Sequence, residues 1–371
     1  MSASVTEVAR HAGVSASTVS YVLSGNRPIS EKTRQRVLAS IEELGFQPHA
    51  GARSIRAGAT NVFALAMPID GDVRADVQMR FVLAVLRAAR AKGKNLLLLP
   101  AEGGVDELTR LTASSTVDGV LAMEIRMHDP RVATLAKLSK PVVLIGTPED
   151  PHRLAHVDFD FGQAGAMCAR YLTDLGHEQV AYLGQPRETF AREAGYAVRA
   201  QAGALESLAG LGMSAQALPV ELGRAGATEA LERLFQVQPG TTGLIIYNEL
   251  ALPNVLMRLD ELGIRVPADM SVVAICTEDQ AADTRPPVSN VSLPAAELGT
   301  LAVGQLLDLL SGNHPVPVIL PPTLTPRGSA SRIGPAQDSV GGGAAGLQVS
   351  KDLSTGELAG GAHHATPGMG A

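Results

Sequence analysis

Ser15-Ala16-Ser17-Thr18-Val19-Ser20-Tyr21-Val22-Leu23-Ser24-Gly25 decides how the N-terminal part of this chain folds. Ser15 opens a helix as its cap. Helical spacing then sends Val19, Val22 and Leu23 inward and leaves Ala16, Ser17, Ser20 and Tyr21 outward. Upstream, Ser4-x-x-Glu7 is a capping box for a first helix over Val5-Thr6-Glu7-Val8-Ala9-Arg10-His11-Ala12. Gly13 supplies the left-handed turn that reverses the chain between the two. Downstream, Ser30-x-x-Thr33 starts a third helix whose Val37, Ile41 and Leu44 share one face, and Gly45 ends it. Three short helices around one apolar interior predict a helix-turn-helix unit. The outward face of its second helix carries small polar side chains suited to entering a DNA groove, which a purely structural bundle would not need.

Bulk properties narrow the rest. At 371 residues the chain is long enough for two or three folding units. No uninterrupted apolar run approaches the ~20 residues of a membrane span. The N-terminus has no basic segment followed by an apolar one, so we expect no signal peptide and a cytoplasmic protein, associated with the nucleoid through DNA. Cys168 and Cys276 are the only cysteines, too few for a disulfide framework. With 7 Phe, 5 Tyr and no Trp, a ligand pocket is expected to rely on aliphatic and polar groups more than on stacking. Residues 1–60 hold seven Lys/Arg against four Asp/Glu, a balance of +3; the remainder holds 24 against 33, or −9. The DNA-facing end is therefore mildly basic on an acidic body. So small an excess predicts that tight binding needs two headpieces, hence a homodimer, with pairing of dimers into a tetramer left open.

From Asn61 onward, continuous apolar stretches alternate with helical patterns: Val62 to Met67, Leu96 to Leu99, Val117 to Met123 and Val142 to Ile145, then a second set through Val180 to Leu183, Gly243 to Tyr247 and Ser271 to Cys276. Strands of this kind belong to parallel sheets covered on both faces, and two sets predict two similar lobes, an α/β body with two doubly wound sheets. Ligands bind such sheets at the carboxyl ends of their strands. That rule nominates Asp70, Glu124, Thr147, Gln185, Asn248, Glu249 and the run Cys276-Thr277-Glu278. Residues 331–371 are rich in Gly, Ala and Ser without periodicity and read as a disordered tail.

Glu7-Val8-Ala9-Arg10-His11-Ala12-Gly13-Val14-Ser15-Ala16-Ser17-Thr18-Val19-Ser20 closely resembles the headpiece of LacI/GalR-family bacterial transcriptional regulators. The resemblance continues through Pro28 to Val37 and Leu44-Gly45-Phe46-Gln47-Pro48, and runs more loosely to about Gly328. Ala52-Arg53-Ser54-Ile55-Arg56-Ala57-Gly58 looks like the family's hinge helix, which folds on DNA and enters the minor groove. Ala52, Arg53, Ile55 and Arg56 are the hinge candidates, with Ile55 standing where the family usually has Leu. For the headpiece we expect base readout by Ala16, Ser17 and Tyr21, and backbone contacts from Ser4, Val5, Ser15, Thr18, Ser20, Ser30 and Thr33. The family often has Arg where Tyr21 stands.

The resemblance also implies a two-lobed body like that of periplasmic sugar-binding proteins, with the chain crossing three times between lobes. The expected division is a headpiece at 1–47, a hinge at 48–60 and a body at 61–330. Within the body, 61–158 and 288–314 are assigned to the first lobe, 159–287 and 315–330 to the second. Arg192, three before Gly195-Tyr196, matches the family's Arg that offers ligand oxygens a fixed donor fork. One departure is plain. Where the family commonly has a Gly-aromatic-Asp-Asp run, this chain has Ala274-Ile275-Cys276-Thr277. The usual acid is missing, with Glu278 or Asp279 as substitutes, so a sugar is one option for the effector and another metabolite a second.

The function these features imply is an effector-controlled repressor on pseudo-palindromic double-stranded operator DNA. A solute-binding protein of a transport system shares the body but not the headpiece, and a regulator without a small-molecule effector is the other alternative. An enzyme is not expected: there is no phosphate-binding Gly-Lys-Ser/Thr loop and no Gly-x-Ser-x-Gly turn. His152-x-x-x-His156-x-Asp158-x-Asp160 resembles a metal cluster but reads better as a polar connection between lobes, so neither metal nor cofactor is expected.

Overall fold

The computed structural model describes residues 3–24, 27–46, 59–68, 75–100 and 104–333. The hinge candidates Ala52, Arg53, Ile55 and Arg56, the candidate Asp70 and the tail beyond residue 333 lie outside the described residues.

The N-terminal unit has helices α1 (Val5–Ala12), α2 (Ala16–Ser24) and α3 (Glu31–Glu43). Each start is capped as its sequence requires. Ser4 accepts from the Glu7 amide at 3.3 Å while Glu7 reaches back to the Ser4 amide at 2.6 Å. Ser15 accepts from Thr18 at 3.1 Å, and Ser30 from Thr33 at 3.4 Å. Gly13 turns the chain at φ +61° and Gly45 at φ +58°, where a side chain would be strained. Val8, Ala9, Ala12, Val19, Val37 and Phe46 are buried together, with Val22, Leu23, Ile41 and Leu44 packed around them.

The body holds two sheets. The first contains β1 (Val62–Met67), β2 (Asn95–Pro100), β3 (Gly119–Ala122), β4 (Val142–Ile145) and β5 (Ala155–Phe159). Among and after them come α4 (Ala75–Ala91), α5 (Gly104–Ala113) and α6 (Val132–Leu135). The second lobe runs α7 (Phe161–Asp174), β6 (Val180–Gly184), α8 (Arg187–Ala191), α9 (Gly195–Ala209), β7 (Ala217–Pro219), α10 (Gly223–Val237), β8 (Gly243–Ile246), α11 (Leu252–Glu261), β9 (Ser271–Cys276), α12 (Glu278–Asp283) and β10 (Ser289–Ser292). Helix α13 (Ala295–Leu310) and strand β11 (Val318–Leu320) return to the first lobe, and β12 (Leu324–Thr325) to the second.

Strand order is β11-β5-β4-β3-β1-β2 in the first sheet and β12-β10-β9-β8-β6-β7 in the second. All neighbours are parallel except β10 and β12. Phe63, Leu65, Val143, Val157, Val273 and Ile275 are buried, as parallel strands between helical layers must be.

The later lobe crossings fall further along the chain than expected. β10 pairs with β9 of the second sheet, and β11 pairs with β5 of the first. Residues 289–292 therefore belong to the second lobe and 318–320 to the first, so the crossings follow Ser292 and Leu320 rather than the expected boundaries after 287 and 314, near Pro287 and Pro315. Prolines mark loops, but a loop can precede a strand of the same sheet. The segment Ala155–Phe159, read from its His and Asp as a polar connection, is a strand whose Val157 and Phe159 are buried.

Candidate functional site

Two places bring functional side chains together. The first is the outer face of α2. Ala16, Ser17 and Tyr21 are exposed there, whereas Thr18 and Ser20 are half-buried. The Ser15 hydroxyl lies 2.8 Å from both Ser17 and Thr18 hydroxyls, so these three side chains form one small hydrogen-bonded group at the helix start. Ser20 donates to the Ala16 carbonyl at 2.9 Å. The Arg27 guanidinium stands over the Tyr21 ring, 5.5 Å from its centre, adding a cation beside the ring. Ser30 and Thr33 hydroxyls meet at 2.9 Å at the start of α3. Ser4 is engaged in its capping box, and the Val5 side chain packs on the core, leaving its backbone as the part that can meet phosphate.

The second place is a cleft between the lobes, lined by Glu124, Thr147, Asp158, Phe161, Tyr196, Arg199, Tyr247 and Glu249 and by apolar residues of α4 and α13. The ends of β3, β4 and β8 deliver Glu124, Thr147 and Tyr247, and α9 delivers Tyr196 and Arg199. Phe161 stacks on Tyr247 at 5.9 Å, and Tyr196 meets Tyr247 edge to face at 6.1 Å. The expectation of a pocket poor in aromatic stacking is thus corrected. Aromatic residues are few in the chain but gather here, each delivered by a different element, which composition cannot show.

Asp158 is buried at the cleft floor. Burial raises its pKa, opposed by the Phe159 amide, the Arg199 charge and Thr147. Its oxygens accept from the Phe159 amide at 2.8 Å and the Thr147 amide at 2.9 Å, with Arg199 at 3.4 Å. Arg199 also donates to the Thr147 carbonyl. The Thr147 hydroxyl is shielded from solvent beside the Asp158 carboxylate, whose charge it helps to hold. Arg192 stands 3.8 Å from Glu124 and follows the end of α8, in the turn before α9. Gln185 donates to Glu249 at 3.3 Å.

Four nominated residues thus meet in or beside the cleft through Glu124, Thr147, Glu249 and Arg192, with Gln185 behind them. The rest do other work. Asn248 donates to the Gly184 and Val220 carbonyls and accepts from the Ala251 amide, so its amide group ties the second sheet to α11. Cys276 is buried, and burial pushes its thiol up to about 12. Glu278 is paired with Arg327. Neither Cys276 nor Glu278 lines the cleft. Sequence reasoning missed Asp158 and Arg199 as cleft residues. Asp158 was set among the connection residues, and Arg199 lies within the apolar helical pattern of α9, where nothing local marks it as facing the cleft. The remaining members of the metal-like run separate: Asp160 caps α7, and His152 lies 3.6 Å from Asp150. No group of three or more metal-ligating side chains occurs among the described residues.

The model for bacterial regulatory proteins of the lacI family matches residues 4–49, and the periplasmic binding protein-like domain matches 169–330. The chain belongs to the LacI family. It is a DNA-binding transcriptional regulator. A similar protein, the HTH-type transcriptional repressor PurR of Aliivibrio salmonicida, is 25% identical over 321 residues, covering 84% of this chain and 93% of the repressor. The HTH-type transcriptional regulator CelR of Thermobifida fusca is 28% identical over 324 residues, with the same coverage of 84% and 93%. Among solved structures, a complex of the regulator CelR with cellobiose matches at TM-score 0.64 and 25% identity, covering 88% of this chain and all of that one. The lac repressor dimer bound to operator matches in fold at TM-score 0.78 and 20% identity, over 89% of this chain and all of that one.

Proposed function

We propose that this LacI-family regulator is a homodimeric repressor whose hold on a pseudo-palindromic operator is set by a small metabolite bound between its lobes. The Arg199–Asp158 pair on the floor of the cleft carries the ligand reading. It shares the cleft with Glu124, Thr147, Glu249 and the Phe161, Tyr196 and Tyr247 rings, which together combine polar groups with stacking surfaces. Named relatives support a small-molecule effector: CelR has been solved with cellobiose. Carboxylates and arginines together suit a ligand with several hydroxyls and an apolar ring face, and a sugar or related metabolite has that chemistry. Such a ligand would bind one degree of lobe closure better than others and so shift the DNA-competent population.

Base readout is assigned to Ala16, Ser17 and Tyr21, with Ser15, Thr18, Ser20, Ser30 and Thr33 toward phosphate. For the dimer, Met79 and Leu83 are exposed one turn apart on α4, and Leu98 is exposed on the neighbouring edge strand β2, an apolar patch fit for a second copy. No helix among the described residues is long and apolar enough to cross a membrane. We assign the protein to the cytoplasm and give it no catalytic role. A transport solute-binding protein has no use for the capped helix-turn-helix. The test is selection of a duplex from a random library, followed by operator binding across a metabolite panel for the wild type and Arg192→Ala. The reading expects Arg192→Ala to bind the duplex normally and lose its metabolite response; an unchanged response curve moves the ligand site elsewhere.

A further inference from the structure

Asp118, at the foot of β3, ties down the residues through which the chain enters the body. Its Oδ1 accepts from the Thr60 amide at 2.6 Å and the Thr60 hydroxyl at 2.8 Å. Its Oδ2 accepts from the Asn61 amide at 2.8 Å. The Lys94 ammonium lies 3.4 Å from the same oxygen and donates to the Asn61 side-chain oxygen at 2.9 Å. Asn61 holds φ +57°, so the chain bends sharply just before β1 begins at Val62. Thr60 and Asn61 are not part of the apolar core; Asn61 is exposed and Thr60 half-buried. A carboxylate only 6% exposed, and not packing, therefore holds this bend.

What the bend controls follows from its position. In the sequence Thr60 lies between the helix-turn-helix and the body, so this bend is where the chain leaves the body toward its DNA-binding unit. β3 adds rigidity. It runs between β1 and β4, all four of its residues are buried, and its far end delivers Met123, Glu124 and Ile125 to the cleft. One stiff strand thus has the cleft at one end and the chain's anchor at the other.

We propose that Asp118 is a positioning residue for operator binding: it fixes the direction in which the chain leaves the body toward the DNA-binding unit. The proposal rests on the DNA-binding function and not on the assignment of the cleft to a metabolite. Asn at this position keeps one acceptor but turns an amide group toward donors, so Asp118→Asn breaks the anchor with little change of volume.

The experiment uses the full-length protein and two duplexes, one selected by the wild type from a random library and one scrambled. Asp118→Asn is expected to weaken the selected duplex tenfold or more and leave the scrambled one within twofold. Amide hydrogen exchange should be at least tenfold faster at Thr60 and Asn61 and unchanged within β3, which shows the body intact. Lys94→Gln, which removes only the outer partner, is expected to give the same pattern at about threefold, and it carries the test if Asp118→Asn does not fold. Unchanged exchange at Thr60 and Asn61 overturns the anchor. Faster exchange with unaltered discrimination between duplexes, or equal losses on both, overturns the positioning role. Because exchange is read without DNA, failure of the anchor is told apart from failure to select any duplex.

Discussion

Arg199 of the second lobe and Asp158 of the first face each other at 3.4 Å across the floor of the cleft. Asp158 is 7% exposed and already accepts two backbone amides, so the guanidinium is the one cation beside it among the described residues. Deleting that cation leaves a buried carboxylate short of compensation, a situation that costs more than the pair itself is worth. Arg199 is about one-quarter exposed, so part of the loss is recovered by water.

Arg199→Met should therefore lower stability by about 1–3 kcal/mol. A denaturant double-mutant cycle with Asp158→Asn checks the pairing. Losses that are less than additive by about 0.5 kcal/mol or more are expected for a coupled pair; strict additivity would mean the two side chains do not sense each other.

Tyr21 lies on the exposed face of α2 with Arg27 over its ring. A phenol can touch a thymine methyl or donate one hydrogen bond, but it cannot make the bidentate contact that Arg makes to guanine. Tyr21→Arg is expected to add a guanine to each preferred half-site. Selection from a random library with both proteins reads this directly, and identical motifs would remove Tyr21 from the readout face.

The headpiece was legible because every decision in it is local. Ser4, Ser15 and Ser30 cap helices within three residues of themselves, and Gly13 and Gly45 stop them, so sequence spacing contains the geometry. Apolar strands also announced two parallel sheets. What sequence could not show is which sheet a short strand joins: Val318–Leu320 and Ser289–Ser292 are placed by partners more than one hundred residues away or by a neighbour in the same lobe. α10 was overlooked because Gly223 and Gly226 weaken its pattern; Gly226 is needed where a Cβ would meet the Glu221 carbonyl at 2.0 Å. The cleft was half legible. Strand ends located Glu124, Thr147 and Glu249, while the aromatic cluster and the Arg199–Asp158 pair arise from tertiary packing of α7 and α9.

That packing is itself testable. Helices α7 and α9 approach so closely that a Cβ on Gly165 would lie 2.0 Å from the Ala200 carbonyl, and one on Gly203 2.0 Å from the Gly162 carbonyl. Both obstacles are backbone, so relief requires moving a helix. Gly165→Ala is expected to destabilise the body by about 2–4 kcal/mol, at or beyond the upper range for overpacking. Gly304, within α13, is the control, since a Cβ there meets nothing within 4 Å. Gly304→Ala should raise stability by up to about 1 kcal/mol through helix propensity. Thermal melts that move in the same direction for both variants would contradict the close approach of α7 and α9.

The lobes also meet at the surface, through a contact that responds to pH. His128 of the first lobe lies 2.5 Å from Glu149 of its own lobe and 3.0 Å from Glu193 of the second. Backbone bonds hold these loops in place: the Met127 amide donates to the Glu193 carbonyl, and the Glu149 amide to the Met127 carbonyl, both at 2.9 Å. The Glu193 hydrogen bond first, then the charges of Glu193 and Glu149, raise the His128 pKa. A group whose folded-state pKa is raised stabilises the folded form fully below its unfolded value, about 6.5 for His, and loses that contribution as pH rises through the higher folded value. Neutral His128 can donate to only one of the two carboxylates, which then remain as like charges near each other. The contact should thus tighten at pH 6 and slacken toward pH 8.5. NMR titration of the His128 ring should give a pKa above the ordinary His value in the wild type and a lower one in Glu193→Gln. Melting temperature followed from pH 6 to 9 should fall more steeply for the wild type than for His128→Gln. Superimposable pH profiles for the two proteins, or a His128 pKa untouched by Glu193→Gln, would show that the lobes do not depend on this imidazole.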